Sequence, residues 1–245
     1  MSHARNQTSI AQPLLTFLHW CLNGISKKAL GALQPRLFSN NVLRKYLPYF
    51  SGDIINVSGW EDGDKEGGAY RNYYGSRNRY VVSNIDGVNG MPDFTPKDVE
   101  FLYLDLEKPL DEKLRGKFDV VFSHTVLEHI FETQTALENI IALSRDVVVT
   151  VVPFSQSVHY TRSYSDFVRL SPYFLKRYFE NHGFTVLLST FNDQPFYPVY
   201  LVFIASLYPK RYGDAFRDAP LVFDVQIHPG HWGTYGRSGV SSSDD

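Results

Sequence analysis

The sequence predicts an α/β fold, with an open, seven-stranded, mostly parallel sheet, helices on both of its faces and further helices at the amino terminus. Three observations support this prediction. Seven short runs rich in β-branched and aromatic residues alternate with longer segments, several of these runs are almost wholly apolar, and two of the intervening segments have helical periodicity. This alternation is typical of a doubly wound domain.

The predicted strands share the β-branched and aromatic composition and lie at 53–57, 80–85, 101–104, 118–123, 147–152, 184–188 and 199–207. The third, fourth and fifth are nearly continuous apolar runs, which predicts strands covered on both faces. Apolar residues at helical spacing predict a helix between the fourth and fifth strands. Another is expected between the fifth and sixth, where Ser171 caps the helix, Pro172 occupies its first turn and Gly183 ends it.

Apolar residues recur at spacings of three and four over 13–33, which predicts an amphipathic helix, and a short second helix is expected over 37–49. The first helix either packs on the domain or lies on a membrane surface with Lys27 and Lys28 at the headgroups. Its polar face carries few cations, so we favour packing.

The chain is accordingly divided into an amino-terminal helical extension (1–48), an α/β domain (49–208) and a partly flexible carboxyl-terminal extension (209–245). Within the last part, the stretch 221–227 is apolar enough to dock on the domain.

Charge and composition exclude several classes of partner. The net charge of −2 and the scattered basic residues do not form the footprint that a nucleic acid requires. The single cysteine, Cys21, excludes an intramolecular disulfide and is compatible with a reducing compartment, so we expect a cytoplasmic protein. No stretch reaches the roughly 18 consecutive apolar residues of a membrane span.

Polar or flexible residues follow the first four predicted strands. Ligands of an open parallel sheet bind beyond the carboxyl ends of its strands, so these residues are the candidates to line a nucleoside-sized crevice. They are Ser58, Gly59, Asp86, Asp105 and Ser123, together with Leu106, which follows Asp105. Singly, each is explained as a turn residue or a solvated strand end. Their joint placement favours a binding site, in which Asp86 would accept hydrogen bonds from ribose hydroxyls.

The sequence FDVVFSHTVLEHI at 118–130 resembles the fourth-strand motif of class I S-adenosylmethionine-dependent methyltransferases, in the type 11-like subgroup related to ubiquinone-biosynthesis enzymes. The sequence VVPF at 151–154, with His159, Tyr164, Arg169 and the later pair at 183–184, is similar to relatives associated with surface-polysaccharide biosynthesis. The sequence AYR at 69–71 is similar to the same group. The resemblance covers roughly residues 50 to 207, and its fourth-strand motif is the most specific part.

The resemblance implies a Rossmann-like fold and S-adenosylmethionine as cofactor. It implies that Asp86 binds the ribose, that Asp105 and Leu106 flank the adenine, and that Ser123 approaches the methionine portion. No metal is implied, and histidines and carboxylates do not fall at the spacing of a metal-ligand set.

The first strand and its loop depart from the family pattern. Asn56 stands where the family usually has an acidic residue, and Ser58 and Gly59 stand in a looser loop than its closely spaced glycines. Such a loop either still holds the methionine end of the cofactor, with Arg71 pairing its carboxylate, or no longer binds a cofactor. Negative charge near a sulfonium favours binding.

Histidines are the candidates for a general base, because their pKa lies near neutral pH. His129 and His159 are ranked equally, and His124 is a third possibility. His129 is explained equally well as a packed structural residue. The stretch 125–128 also has the form of a capping box, in which Glu128 would bond to the backbone. His159 lies in a tyrosine-rich segment expected to form a lid or acceptor wall.

The sequence therefore predicts a methyltransferase that acts on a hydroxyl of a small molecule or glycan intermediate. Two alternatives stay open. One is a methyltransferase-like binding or scaffolding module without catalysis, which the altered glycine loop suggests. The other is a peripheral membrane protein that uses the amphipathic amino-terminal helix. The sequence leaves the oligomeric state open.

Overall fold

The computed structural model describes residues 35–85, 99–155, 158, 160, 164–192, 199–223, 226–227 and 235–236. Seven strands form one sheet, namely β1 Asp53–Val57, β2 Arg79–Asn84, β3 Glu100–Tyr103, β4 Phe118–His124, β5 Ser144–Ser155, β6 Thr185–Phe191 and β7 Val199–Ser206. Their order is β3-β2-β1-β4-β5-β7-β6, and only the two ladders that involve β7 are antiparallel. The prediction of a seven-stranded, mostly parallel sheet is confirmed.

The helices lie on both faces of the sheet, as predicted. They are α1 Pro35–Tyr46, α2 Thr133–Leu143, α3 Pro172–Asn181 and the short α4 Gly213–Phe216. On one face, Leu137 of α2 and Phe179 of α3 belong to the same core as Ile55 of β1. On the other, Leu43 of α1 packs in a core with Ile54. Adjacent residues of β1 thus point into different cores, because side chains alternate across a strand.

The edge strand β3 differs from the prediction that it would be covered on both faces. All its residues are exposed or half-buried, whereas β4 is buried along nearly its whole length. The reason is its position, since β3 pairs only with β2. Its apolar composition was therefore a poor guide to its burial.

The predicted ends of α3 are confirmed. The Ser171 hydroxyl accepts a hydrogen bond from the backbone N of Phe174 at 3.1 Å, and Pro172 is the first helical residue. Beyond the helix, Gly183 has a φ of +82°, a left-handed conformation that favours glycine. The second predicted amino-terminal helix is also confirmed, as α1, while the helix predicted over 13–33 lies outside the described residues.

The segment after α4 contacts the sheet beside β6. The backbone N of Ser189 donates to Pro220 O at 2.9 Å, and the backbone N of Val222 donates back to Ser189 O at 2.8 Å. The predicted docking of this stretch is therefore observed for its first residues. Farther on, β8 Gln226–Ile227 pairs with β9 Tyr235–Gly236. In the part of the chain that the structure describes, no helix has the length and apolar character needed to cross a membrane.

Candidate functional site

The carboxyl ends of β1 to β4 meet at one edge of the sheet. Val57 at the end of β1 pairs with Ser123 of β4, and Asn84 at the end of β2 pairs with Tyr103 of β3. This register brings together the loops that begin after each of these strands. The sheet order reverses between β1 and β4, which is where open α/β sheets bind their ligands.

The loop after β1 has a strained backbone. Ser58, Trp60 and Asp62 have φ values of 51°, 52° and 66°, in the left-handed region that non-glycine residues rarely adopt. Gly59 lies between them, and a Cβ atom added to it would lie 2.5 Å from the side-chain amide of Asn56. Strain of this kind persists only where the surroundings hold it, and it is concentrated at functional sites.

Asp62, which the sequence showed only as one of several loop charges, is fully buried. Its carboxylate accepts hydrogen bonds from Asn56 Nδ2 at 2.8 Å, from the Tyr80 hydroxyl at 2.7 Å and from the backbone N of Arg71 at 3.0 Å. Burial raises the pKa of Asp62, and these hydrogen bonds oppose the rise. The carboxyl group of Asp62 thus lies beside Asn56, which occupies the strand position where the family pattern has an acidic residue.

Arg71 forms an ion pair with the same buried carboxyl group. Its guanidinium Nη1 lies 3.6 Å from Asp62 Oδ2, and 31% of its side chain is exposed. An internal anion therefore balances part of its charge. Its predicted contact with the cofactor carboxylate stays a prediction.

The turn after β3 is fixed to the start of α2. Asp105 Oδ1 accepts a hydrogen bond from the backbone N of Glu107 at 2.9 Å, so the aspartate shapes the turn. Leu106 is buried, and its carbonyl accepts from Asn139 Nδ2 of α2 at 2.9 Å. Glu107 Oε1 in turn accepts from the backbone N of Phe131 at 2.8 Å. Asp105 and Leu106 thus lie in a rigid wall, and their contact with adenine stays a prediction.

Ser123 is fully buried in β4, and among the described residues its Oγ has no hydrogen-bond partner. Leaving a buried hydroxyl unpaired costs about 1 to 3 kcal/mol, so such groups are uncommon unless a ligand or water satisfies them. This hydroxyl lies beside β1 at the edge where the sheet order reverses. Two other predicted site residues, Asp86 and His159, lie outside the described residues.

His124, the third candidate base, ends β4 and contacts Arg36 and Ser39 of α1, two residues that the sequence did not single out. Arg36 Nη1 donates to the Tyr70 hydroxyl at 3.0 Å and lies 2.7 Å from His124 Nδ1. Burial, together with the charge of Arg36, lowers the pKa of His124 well below its usual value, so this imidazole is neutral at pH 7. With Nδ1 accepting from Arg36, Nε2 carries the proton and donates to Ser39 Oγ at 3.1 Å. Helical periodicity gave no sign of this contact.

His129 lies in a short 3-10 turn after β4 and is held by a carboxylate. Its Nδ1 lies 3.1 Å from Asp166 Oδ1 and 3.1 Å from the carbonyl oxygen of Ser165. Asp166 Oδ2 accepts a hydrogen bond from Arg169 at 2.6 Å, and the Tyr164 ring lies 4.4 Å from the imidazole. An imidazole held at one nitrogen by a fixed carboxylate is oriented as a general base requires. Sequence reasoning missed Asp166, because α2 and β5 lie between it and His129 in the sequence.

The interpretation of residues 125–128 as a capping box is wrong. Thr125 has a φ of 53°, and its hydroxyl donates to the carbonyl of His124 at 2.7 Å. Val126 takes the cap position of the short helical turn and makes no side-chain cap. The left-handed Thr125 turns the chain away from the geometry in which its hydroxyl could meet the backbone of Glu128.

Glu128 is instead buried at the site, with 2% of its surface exposed. Its Oε1 lies 3.6 Å from His129 Nε2, and its Oε2 has no hydrogen-bond partner among the described residues. Burial, reinforced by the charge of Asp166, raises the pKa of Glu128 to about 8. At neutral pH this carboxyl group therefore carries a proton.

Within the described ranges, no three His, Cys, Asp or Glu side chains lie close enough together to hold a metal ion.

Solved structures of methyltransferases share this fold. The 1,6-didemethyltoxoflavin N1-methyltransferase of Burkholderia thailandensis, solved with bound S-adenosylhomocysteine, is 15% identical with a TM-score of 0.50, over 84% of this chain and 92% of that one. A second match is a chain in the complex between the Haloferax volcanii Trm112 methyltransferase activator and the putative methyltransferase. It is 14% identical with a TM-score of 0.52, over 77% of this chain and 96% of that one.

A putative methyltransferase from Bacillus halodurans matches with 8% identity and a TM-score of 0.50, over 68% of this chain and 97% of that one. A scan against protein-family models finds no match, and neither does a search of curated proteins. At these identities the likeness concerns the fold alone. The chain therefore has the Rossmann-like fold of class I S-adenosylmethionine-dependent methyltransferases.

Proposed function

We propose that the chain transfers a methyl group from S-adenosylmethionine to a hydroxyl group of a small molecule or glycan intermediate. The observation that carries the proposal is the unpaired, buried hydroxyl of Ser123 at the edge where the sheet order reverses. The strained loop at Ser58 and Gly59 adjoins it, so a ligand there would meet both elements.

The residues at this edge fit a nucleoside cofactor. Ser123, Ser58 and Gly59 would hold its amino-acid part, Asp105 and Leu106 would flank its adenine, and Asp86 would bind its ribose. When bound, the cofactor supplies a methyl carbon, whose bond to sulfur breaks as the acceptor oxygen forms the new C–O bond and releases its proton. The chain itself has to position the acceptor and receive that proton.

His129 is the proposed base, and His159 stays a second candidate. Nδ1 of His129 is engaged by Asp166 and the Ser165 carbonyl, so we assign the receipt of the proton to Nε2, which lies 3.6 Å from Glu128 Oε1. Asp166, which is fixed by Arg169, would hold the imidazole orientation and stabilise the imidazolium.

Exposed aromatic rings near His129 support an acceptor with an apolar face, such as a sugar ring. Phe131 and Phe167 are 70% and 53% exposed, and their ring centroids lie 5.5 Å apart in an edge-on arrangement. Tyr164 lies against His129, and Tyr160 is also exposed. Clustered apolar groups at a surface mark binding sites, and this cluster is the proposed acceptor wall.

A second candidate is a binding or scaffolding module without catalysis. It is favoured by the way the β1 loop bonds to its own neighbours. The backbone N of Trp60 donates to Asn84 Oδ1 at 2.9 Å, and Asp62 is buried beneath the loop. The peripheral-membrane alternative rests on residues 13–33, which lie outside the described residues.

Calorimetric titration with S-adenosylmethionine and S-adenosylhomocysteine separates these candidates. We expect micromolar binding of both, roughly −8 kcal/mol, and at least about a tenfold loss in Asp86→Ala. Asp111→Ala is the matched control, because Asp111 is exposed and only accepts a bond from the backbone N of Lys113. Absence of heat, with an unchanged melting temperature on adding either compound, would contradict the methyltransferase and favour the module.

A further inference from the structure

We propose that Arg36 binds the carboxylate of the cofactor's amino-acid part, so that a residue of the amino-terminal extension completes the site. The inference rests on the proposed function. It assigns to Arg36 the contact that the sequence suggested for Arg71. Three features of the structure support it, namely the uncharged hydrogen-bond partners of Arg36, its contrast with two other half-buried arginines and its place at the end of β4.

The hydrogen-bond partners of the Arg36 guanidinium are uncharged. It donates to the hydroxyls of Tyr70 at 3.0 Å and Thr125 at 3.3 Å, lies 2.7 Å from Nδ1 of neutral His124, and lies 5.8 Å from the centroid of the Tyr200 ring. Among the described residues, no carboxylate oxygen comes within the 4.0 Å that defines an ion pair. Within the described ranges, dipoles therefore solvate the half-buried charge, and Glu128, the carboxyl group that Arg36 influences electrostatically, keeps its proton at neutral pH.

Other arginines of the chain are paired with carboxylates. Two of them are half-buried like Arg36: Arg71 Nη1 lies 3.6 Å from Asp62 Oδ2, and Arg169 Nη2 lies 2.6 Å from Asp166 Oδ2. Half-buried cations are usually compensated in this way, because removing a charge from water without a partner is unfavourable. In the part of the chain that the structure describes, Arg36 has no ion-pair partner, and an anionic ligand group would supply one.

The position of Arg36 indicates which anion that is. It contacts His124 and Thr125, the two residues that follow Ser123. Neighbouring residues of a strand point to opposite faces, so a ligand lying across the end of β4 can meet the Ser123 hydroxyl on one side and Arg36 on the other. Ser123 is the residue predicted to approach the methionine portion, whose carboxylate has the two-oxygen geometry that a planar guanidinium binds best.

The test compares two ligands that differ in the amino-acid part. S-adenosylhomocysteine carries the carboxylate, whereas 5′-deoxy-5′-methylthioadenosine has the same nucleoside and thioether without it. We expect Arg36→Met to weaken S-adenosylhomocysteine binding about 10- to 100-fold and to leave methylthioadenosine binding unchanged. Arg36→Lys keeps the positive charge but cannot make two parallel hydrogen bonds to a carboxylate, so its affinity for S-adenosylhomocysteine should be intermediate.

Arg44→Met is the control on the same helix, since Arg44 is exposed and paired with Glu66. It should leave both affinities unchanged. Equal losses for the two ligands in Arg36→Met, or no loss for S-adenosylhomocysteine, would overturn the assignment, and retained methylthioadenosine binding shows that the variant is folded. A wild-type chain that binds neither ligand would refute the proposed function itself, and the assignment with it.

Discussion

Glu128→Gln is expected to raise the free energy of unfolding by about 3 to 5 kcal/mol at pH 9 and to change it little at pH 5. The reason is the buried position of the carboxyl group, which raises its pKa from an ordinary 4.5 to about 8. Among the described residues, the titratable or charged groups around it are His129, Asp166, Arg169, Arg36 and Tyr200. Glutamine has nearly the same shape and cannot ionise.

The sign follows from proton binding. Between about pH 4.5 and pH 8 the folded chain keeps a proton on Glu128 that the unfolded chain has released. The folded state therefore binds more protons in this range, and the wild-type stability falls as pH rises through it. Above pH 8 the folded carboxyl also ionises, and the loss reaches its full size. The variant lacks this loss.

Urea unfolding of wild type and Glu128→Gln at both pH values measures the effect. Glu138→Gln serves as the control, because Glu138 is exposed on α2 and its substitution should have the same small effect at both pH values. If Glu128→Gln changes the free energy of unfolding by the same amount at pH 5 and at pH 9, the folded state does not hold this proton.

Asp62→Ala is expected to lower the free energy of unfolding by about 3 to 5 kcal/mol and to abolish S-adenosylhomocysteine binding. Removing the carboxylate leaves Asn56 Nδ2, the Tyr80 hydroxyl and the backbone N of Arg71 without their acceptor. Each donor lies at or near the buried base of the loop, so water cannot easily replace the lost bonds. The strained conformation at Ser58 would then no longer be held.

The neighbouring variant Glu61→Ala is the matched control, because Glu61 is an exposed residue of the same loop. We expect it to change the unfolding free energy by less than about 0.5 kcal/mol. Urea unfolding and calorimetric titration of both variants provide the measurement. If Asp62→Ala is as stable as Glu61→Ala, the carboxylate does not organise the loop.

Features set by local sequence were predictable. The bounds of β1 are the same in sequence and structure, and Ser171 and Pro172 begin α3 as capping chemistry requires. The prediction for β5 was too short, since its ladder with β7 continues past Pro153 to the end of the strand. That extension depends on the partner strand, which the composition of β5 alone does not reveal.

Features set by distant contacts were not predictable. Asp62 looked like a solvated loop charge, because nothing nearby in sequence shows that Asn56 and Tyr80 converge on it. Arg36 lies in an amphipathic helix, and only the packing of α1 on the sheet brings it to His124. The capping-box pattern was overridden by the left-handed conformation of Thr125. Ser58, Gly59, Asp105, Leu106 and Ser123 lie at strand ends, as their sequence positions predicted, whereas the side chains that support them are visible only in the structure.

We propose that the cofactor binds across the carboxyl ends of β1, β3 and β4. Hydrogen exchange measured by mass spectrometry, with and without S-adenosylhomocysteine, is the test of this binding mode. We expect slower exchange in peptides covering 58–62, 105–108 and 123–126 when the ligand is bound, and unchanged exchange in the segment 209–216, which includes α4. If bound S-adenosylhomocysteine slows exchange only outside these three loops, or nowhere, the cofactor does not bind at these strand ends.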